Sequence, residues 1–253
     1  MFEIKPPYNS IFDIRAKSYH QAMTTWPETR RNEFDIAVKL ANIKDNNIIV
    51  DIPSGGGYLS DFIPSENDIY HIETSINFAK LSKTQTDHYV ILTDEQSIPI
   101  KNNTIDNIIS IAGLHHTNNK SAVFTDMYRI LKTKGNAVIA DVNYNSKTAT
   151  FLDKFVNSYN SIGHKGDYFN CNTTAQIKNC GFSIAEDFSK EYYWVFNNKK
   201  QMANYCQLLF GLDQASEDEV IDGIAEFLGF TEDNNKVNMR WELRFIKAIK
   251  NAP

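Results

Sequence analysis

Val50-Asp51-Ile52-Pro53-Ser54-Gly55-Gly56-Gly57-Tyr58 decides the fold of this 253-residue chain. An apolar run over residues 48–52 stops at a proline, a serine and three consecutive glycines. Residues without a Cβ are needed where a strand turns tightly and backbone must approach a ligand. A helix following such a turn offers unpaired N–H groups to an acidic or polar ligand end. A plain turn can also be glycine-rich, so the surrounding pattern has to support the reading.

Working outward, apolar runs of four to six residues recur at 69–72, 89–92, 108–112 and 137–142. Most are rich in β-branched residues and show little polar alternation, the character of strands buried on both faces. Helical patterns lie between them. The clearest covers 121–132, with Val123, Phe124, Met127, Tyr128 and Leu131 on one face and Gly135 just beyond. Strand alternating with helix predicts βαβ units in a doubly wound α/β sheet. Upstream, residues 12–43 read as helical, with Pro27 where a first turn tolerates it. Downstream, 173–180 reads as a helix closed by Gly181, 182–196 and 241–249 as strands, and 199–210 and 217–227 as helices. No repeat or linker marks a boundary. The expectation is one domain: an N-terminal helical cap over 1–46, a core over 47–182, and C-terminal strands with a helical insertion over 183–253, the insertion also capping the site.

Composition excludes several classes. The chain carries 26 basic and 31 acidic residues, a net charge of −5. Proteins that hold polyanions by charge show a basic field, so nucleic acid is disfavoured as a partner. No stretch approaches the ~18 apolar residues of a membrane span, and the start, Met1 to Pro7, lacks a signal-peptide pattern. Cys171, Cys180 and Cys206 have no metal-type spacing and suit a reducing cytoplasm. His164 with Asp167 reads as a loop, so no metal is expected. The oligomeric expectation is a monomer or homodimer.

Two acidic positions sharpen the glycine turn. Glu73 ends the second apolar run, 22 residues after Asp51. That is where an acid at the tip of the second strand binds a ribose diol. Thr93-Asp94-Glu95 ends the third run, where a carboxylate can accept a hydrogen bond from an adenine amino group. Asp94 would equally serve as a helix N-cap. The glycine spacing is not G-x-G-x-x-G, which disfavours a nicotinamide dehydrogenase.

With these motifs the chain resembles the class I S-adenosylmethionine-dependent methyltransferases, in particular the small-molecule group, from about residue 47 to 143 and more weakly to 182. Asp51 to Gly57 stands in the glycine-rich first motif. Thr104-Ile105-Asp106-Asn107-Ile108-Ile109-Ser110 with Leu114-His115-His116 is similar to the fourth-strand motif. Tyr128-Arg129-Ile130-Leu131-Lys132-Thr133-Lys134-Gly135-Asn136 is similar to the helix and turn before strand five. Pro53 departs from the usual glycine and Ser54 from the frequent cysteine or small residue. Proline there removes a donor and fixes φ.

The resemblance implies a Rossmann-like, seven-stranded, mostly parallel sheet with an antiparallel last strand, for which 240–249 is suited. It implies S-adenosylmethionine as cofactor and S-adenosylhomocysteine as product. It places Asp51, Pro53, Gly55, Gly57, Glu73, Thr74, Asp94, Glu95 and Ala112 around the cofactor, with Tyr19 reaching it from the N-terminal segment. His20, Trp26 and Arg30 on that segment, with Asn143 and Tyr168, are the substrate candidates. His115 and His116 lie past strand four, at the carboxyl edge where ligands bind in such sheets. Histidine has the right range for removing a proton near neutrality. His116 is the first choice as base, with His115 packing at the strand end or meeting the cofactor through its backbone. The aromatic residues Tyr192, Tyr193, Trp194, Phe196, Tyr205 and Phe210 suggest a partly apolar small-molecule substrate. RNA or protein methylation, and a non-catalytic cofactor-binding scaffold, are the alternatives.

Overall fold

The computed structural model describes residues 11–252, so the first seven residues read above lie outside the described part. The chain divides into two compact units. One consists of Glu33–Tyr144, Asp167–Lys190 and Leu243–Pro253, the other of Met1–Asn32, Asn145–Gly166 and Glu191–Glu242.

The first unit is built on a sheet. Its strands are β1 (Ile48–Asp51), β2 (Asp68–Glu73), β3 (Tyr89–Leu92), β4 (Ile105–Ile111) and β5 (Leu131–Asp141). To these are added the first part of β6 (Ser183–Phe196) and the last part of β8 (Lys236–Ile249). The order is β3-β2-β1-β4-β5-β8-β6. β1 to β5 run parallel to their neighbours, and β8 lies antiparallel to β5. The expected doubly wound sheet and its antiparallel final strand are therefore present. Val50, Ile52, Ile108, Ala137 and Ile139 are inaccessible and form the core with Phe124 and Met127 of the following helix. That two-sided burial is what the unalternating runs encode.

Because the chain runs outward from β1 to β3 and then returns to start β4 beside β1, the connections diverge between these two neighbours. In open α/β sheets the crevice at the carboxyl ends lies at such a point.

The helices of this unit have identifiable ends. In α3 (Ile76–Gln85) the Ser75 hydroxyl accepts from the Phe78 N–H. In α4 (Lys120–Ile130) the Asn119 side chain does the same for Ala122, each satisfying an orphan donor. The last carbonyls of α4 are met from a distance: Lys250 Nζ donates to the carbonyls of Tyr128 at 2.7 Å and Leu131 at 2.9 Å. Beside them, Asn107 and Asn136 both donate to the carbonyl of Ala41, the last residue of α2 (Arg31–Ala41), at 3.0 Å.

The second unit is mostly helical. It holds α1 (Ile11–Thr25), α5 (Lys199–Phe210), α6 (Glu217–Phe227) and a helical segment over 147–159 that contains a π-helical stretch, Phe151–Val156. A capping box, Ser216 with Glu219, starts α6. A short strand, β7 (Phe230–Asp233), pairs with the beginning of β8. The sequence did not mark β7 or the 147–159 segment. Trp194 and Tyr205 are fully buried here, and Trp194 stacks on Trp241 at 4.4 Å. Of the six aromatics read as hints of a substrate, Tyr192, Trp194, Phe196 and Tyr205 are this unit's own core, so they say nothing about a substrate.

Two local expectations fail. The glycine turn is followed not by an α-helix but by a five-residue 3-10 stretch, Tyr58–Phe62. Pro64 comes two residues later and β2 begins at Asp68, so there is neither an uninterrupted donor run nor room for more than a turn. Residues 12–43 likewise break at Trp26 into α1, a 3-10 turn Pro27–Arg30 and α2. Among the described residues, no helix is long and apolar enough to cross a membrane.

Candidate active site

Two turns meet at the divergence between β1 and β4. The first carries the glycines. Gly55 has φ +56°, a left-handed conformation that side chains rarely tolerate. A Cβ built on it would meet only Tyr58 Cε2, at 3.7 Å, so its outer side is open. The Gly55 N–H donates to Glu73 Oε2 at 2.7 Å. Thr74 and Ser75 donate to the other oxygen at 2.8 and 2.9 Å. Glu73 is thus fastened to the glycine turn, as an acid at the tip of β2 should be. Burial pushes its carboxyl up to about 7, against the pull of the three N–H donors, and the nearby Asp51 carboxylate pushes the same way.

Asp51 is buried at the end of β1. Its Oδ2 accepts from His71 Nδ1 at 3.1 Å. Burial raises its carboxyl above the usual range, and the His71 hydrogen bond works against that rise. Ser54 Oγ is buried and has no hydrogen-bond partner among the described residues. Thr74 and Asp94 are exposed, and Glu95 is half-buried. The Asp94 carboxylate accepts from Gln96 N–H at 2.8 Å within a turn, not at a helix start. Glu95 accepts from the Thr117 hydroxyl, and burial pushes its carboxyl up.

The second turn follows β4. Ala112 holds φ +51°, an uncommon conformation for alanine. Gly113 faces Pro53: a Cβ there would stand 2.3 Å from the proline Cγ, so the two turns touch and only glycine fits. Next comes a 3-10 turn, Leu114–His116. His115 is buried, and its ring Nδ1 lies 2.6 Å from Asp141 Oδ1 at the end of β5. Its backbone N–H donates to the other oxygen of Asp141 at 2.9 Å. A carboxylate only accepts, so Nδ1 donates to Asp141. The half-buried His116 ring packs on His115 with centroids 3.9 Å apart.

Segment 167–169 lies alongside. Asp167 N–H donates to the His115 carbonyl at 2.7 Å, Asn143 bridges to Phe169, and the Tyr168 ring is 5.8 Å from that of His115. Asp167 also pairs with Lys120. The structure therefore gathers Asp51, Pro53, Gly55, Glu73 and Thr74 at one strand end, and Ala112, His115, His116, Asn143 and Tyr168 at the next. Tyr19, His20, Trp26 and Arg30 belong to the second unit. There Arg30 Nη1 donates to the Tyr19 hydroxyl at 2.6 Å, and its guanidinium lies 5.4 Å from the Trp194 ring centre.

Sequence reasoning missed His71 and Asp141. Each is a polar residue in an otherwise apolar strand run, and that interruption was the signal available.

The residues fit the cofactor of the resembled family. An orphaned buried hydroxyl at Ser54, an open cradle at Gly55 and two acids beside them are what a ligand with ribose and amino-acid ends requires. The methyltransferase-domain family model matches residues 50–139. An uncharacterised protein of Methanocaldococcus jannaschii is 30% identical over 133 residues, 52% of this chain and 50% of that relative, so the likeness spans half its length. Among solved structures, the Haloferax volcanii protein in complex with the Trm112 methyltransferase activator matches with TM-score 0.67 and 13% identity, over 98% of this chain and 99% of that one. A Thermotoga maritima S-adenosylmethionine-dependent methyltransferase matches with TM-score 0.62 and 15% identity, over 95% and 98%. Fold, motif order and domain match agree: residues 50–139 are similar to the methyltransferase domain, and the sheet has the fold of the S-adenosylmethionine-dependent methyltransferase among these structures.

Proposed function

We propose that the protein transfers the methyl group of S-adenosylmethionine to a small-molecule acceptor. The observation behind this is the glycine turn tied to a buried acid, Gly55 N–H to Glu73, with the unpartnered Ser54 hydroxyl beside it. Glu73 and Thr74 are assigned to the ribose, Asp94 and Glu95 to the adenine, and Asp51, Pro53, Gly55, Gly57 and Ala112 to the remainder of the cofactor.

When bound, the cofactor supplies the activated methyl group and the chemical driving force. The chain's residues align the acceptor, exclude water and, for a protonated nucleophile, remove a proton. Sequence position favours His116 for that last task. The Asp141 pairing moves the assignment to His115, because a carboxylate that fixes the tautomer also stabilises the imidazolium formed on proton uptake. Asn143 and Tyr168, beside His115, are assigned to the acceptor. The net charge of −5 supports a small molecule over RNA.

Calorimetry with S-adenosylmethionine and S-adenosylhomocysteine tests the cofactor reading, with micromolar binding expected, ~8 kcal/mol. Gly55→Val should abolish the heat, since its side chain fills the open cradle. No heat from the wild-type protein would sink the reading. Methyl-labelled cofactor incubated with a cell extract, then ultrafiltered, tests the substrate class. Label in the filtrate is expected, and label retained on RNA or protein overturns the small-molecule assignment.

A further inference from the structure

Behind the glycine turn runs a polar chain that methyl transfer itself does not require. His71 is fully buried in β2, in register with Asp51 of β1. Its Nδ1 is 3.1 Å from Asp51 Oδ2, and its Nε2 is 2.9 Å from Ser60 Oγ. With Asp51 ionised, Nδ1 donates to it, and Ser60 Oγ stands within hydrogen-bond distance of Nε2. Ser60, His71 and Asp51 are therefore tied in series, with both ring nitrogens engaged.

We infer that His71, backed by Ser60, is a positioning residue that presents the Asp51 carboxylate to the ammonium group of the cofactor's methionine end. The inference rests on the cofactor reading above.

A buried imidazole in a two-sided parallel strand costs free energy unless both nitrogens are satisfied. Ile69 and Ile72 on the same strand show what the sheet alone asks for. His71 occupies Oδ2 of Asp51, while the other oxygen receives no hydrogen bond from the described residues. That oxygen is the one left for a cation. Ser54, with its unpartnered hydroxyl, is three residues on.

The electrostatics agree with the geometry. Burial drives Asp51 towards its neutral form, and the His71 donor opposes this. Glu73, on the same strand as His71, is a second buried acid that repels Asp51. His88, before β3, lies with its ring centre 6.1 Å from that of His71 and is itself held down by burial and by His71, with Asp68 and Asp87 pulling it up. Removing His71 leaves Asp51 among a repelling acid and apolar neighbours, where a neutral carboxyl has no grip on an ammonium group. Hydrolytic triads use the same three residue types, but a fully buried His71 has no access to a leaving group.

The test compares S-adenosylmethionine with 5′-methylthioadenosine, which keeps the adenosine and the sulfur but lacks the ammonium and carboxylate. His71→Phe should weaken S-adenosylmethionine binding by roughly 10- to 100-fold at neutral pH, the range for one hydrogen bond to a charged group. The loss should shrink as rising pH ionises Asp51, and 5′-methylthioadenosine should bind as to wild type. His71→Asn, whose amide can still donate to Asp51, should recover most of the affinity. If His71→Phe does not fold, Ser60→Ala removes the outer link and should give the same pattern at a few-fold. Equal weakening of both ligands, no weakening, or no recovery in His71→Asn overturns the inference. Wild-type protein that binds neither ligand overturns the cofactor reading as well, so the two failures are distinguishable.

Discussion

The first unit contains two buried carboxylate–histidine pairs at neighbouring strand ends, and they face opposite ways. At the glycine turn, Asp51 stands at the strand tip and His71 lies behind it in β2. Past β4, His115 stands in the turn and Asp141 holds it from the end of β5. On the roles proposed above, the histidine serves the acid in the first pair, and the acid serves the histidine in the second. A fixed anion suits the ammonium group at a cofactor's amino-acid end. An oriented neutral imidazole suits a proton that leaves during reaction. In that proposal the same two side chains serve binding or chemistry according to which one is placed outermost.

The largest expected effect separates them. His115→Ala should cut turnover by about 10²–10⁴-fold with cofactor affinity nearly unchanged, and His116→Ala should cost less. A loss of cofactor affinity in His115→Ala, seen by calorimetry, would break the contrast. Asp141→Asn should follow with a roughly 10- to 100-fold fall in turnover, because the amide no longer stabilises the imidazolium. If Asp141→Asn turns over like wild type, His115 needs no orienting acid.

The acid neighbouring the first pair gives a signature in stability. The Glu73 carboxyl is raised to about 7 in the folded protein from an ordinary 4.5. A raised acid penalises the folded state as pH climbs through that window, by about 3 kcal/mol once both states are ionised. Glu73→Gln avoids this penalty but leaves the Gly55 N–H without its acceptor. A net gain of roughly 1–2 kcal/mol over wild type is expected in urea melts at pH 8, fading towards pH 4. A difference that does not change with pH would mean Glu73 is ionised throughout. The smallest effect is Asp94→Ala. Its exposed carboxylate should account for under about 1 kcal/mol of cofactor affinity, whereas Glu73→Ala should cost roughly 1.5–3 kcal/mol.

Much of the sheet was legible because burial on both faces leaves an unbroken apolar run, and periodicity then tells strand from helix. The helices at 199–210 and 217–227 were read to the residue for a local reason: each has a side-chain cap, Asn198 and Ser216. What escaped notice depends on partners distant in sequence. β7 is four residues of mixed character that exist only by pairing with β8. The 3-10 stretch after Gly57 is set by the length of the connection, which matters only once β2 is placed. At the site, spacing put Glu73 at the tip of the second strand, where it stands. Asp141 and His71 were passed over because a polar residue inside an apolar run looks like noise until its partner, 26 or 20 residues away, is known.

The place of β8 bears on how the chain assembles. β5 finds its antiparallel partner only at residues 244–249, more than a hundred positions later. Pairings that distant make for slow folding and leave an open, apolar strand edge in the meantime. β6 is synthesised before β8 yet ends outside it in the sheet, so an emerging chain has an early candidate for the wrong neighbour. Lys250 marks the arrival of the right one: its ammonium reaches the carbonyls at the end of α4 only when β8 is seated in register. Amide exchange during refolding should therefore show β1 to β4 protected first, with β5 gaining full protection only as the lysine docks.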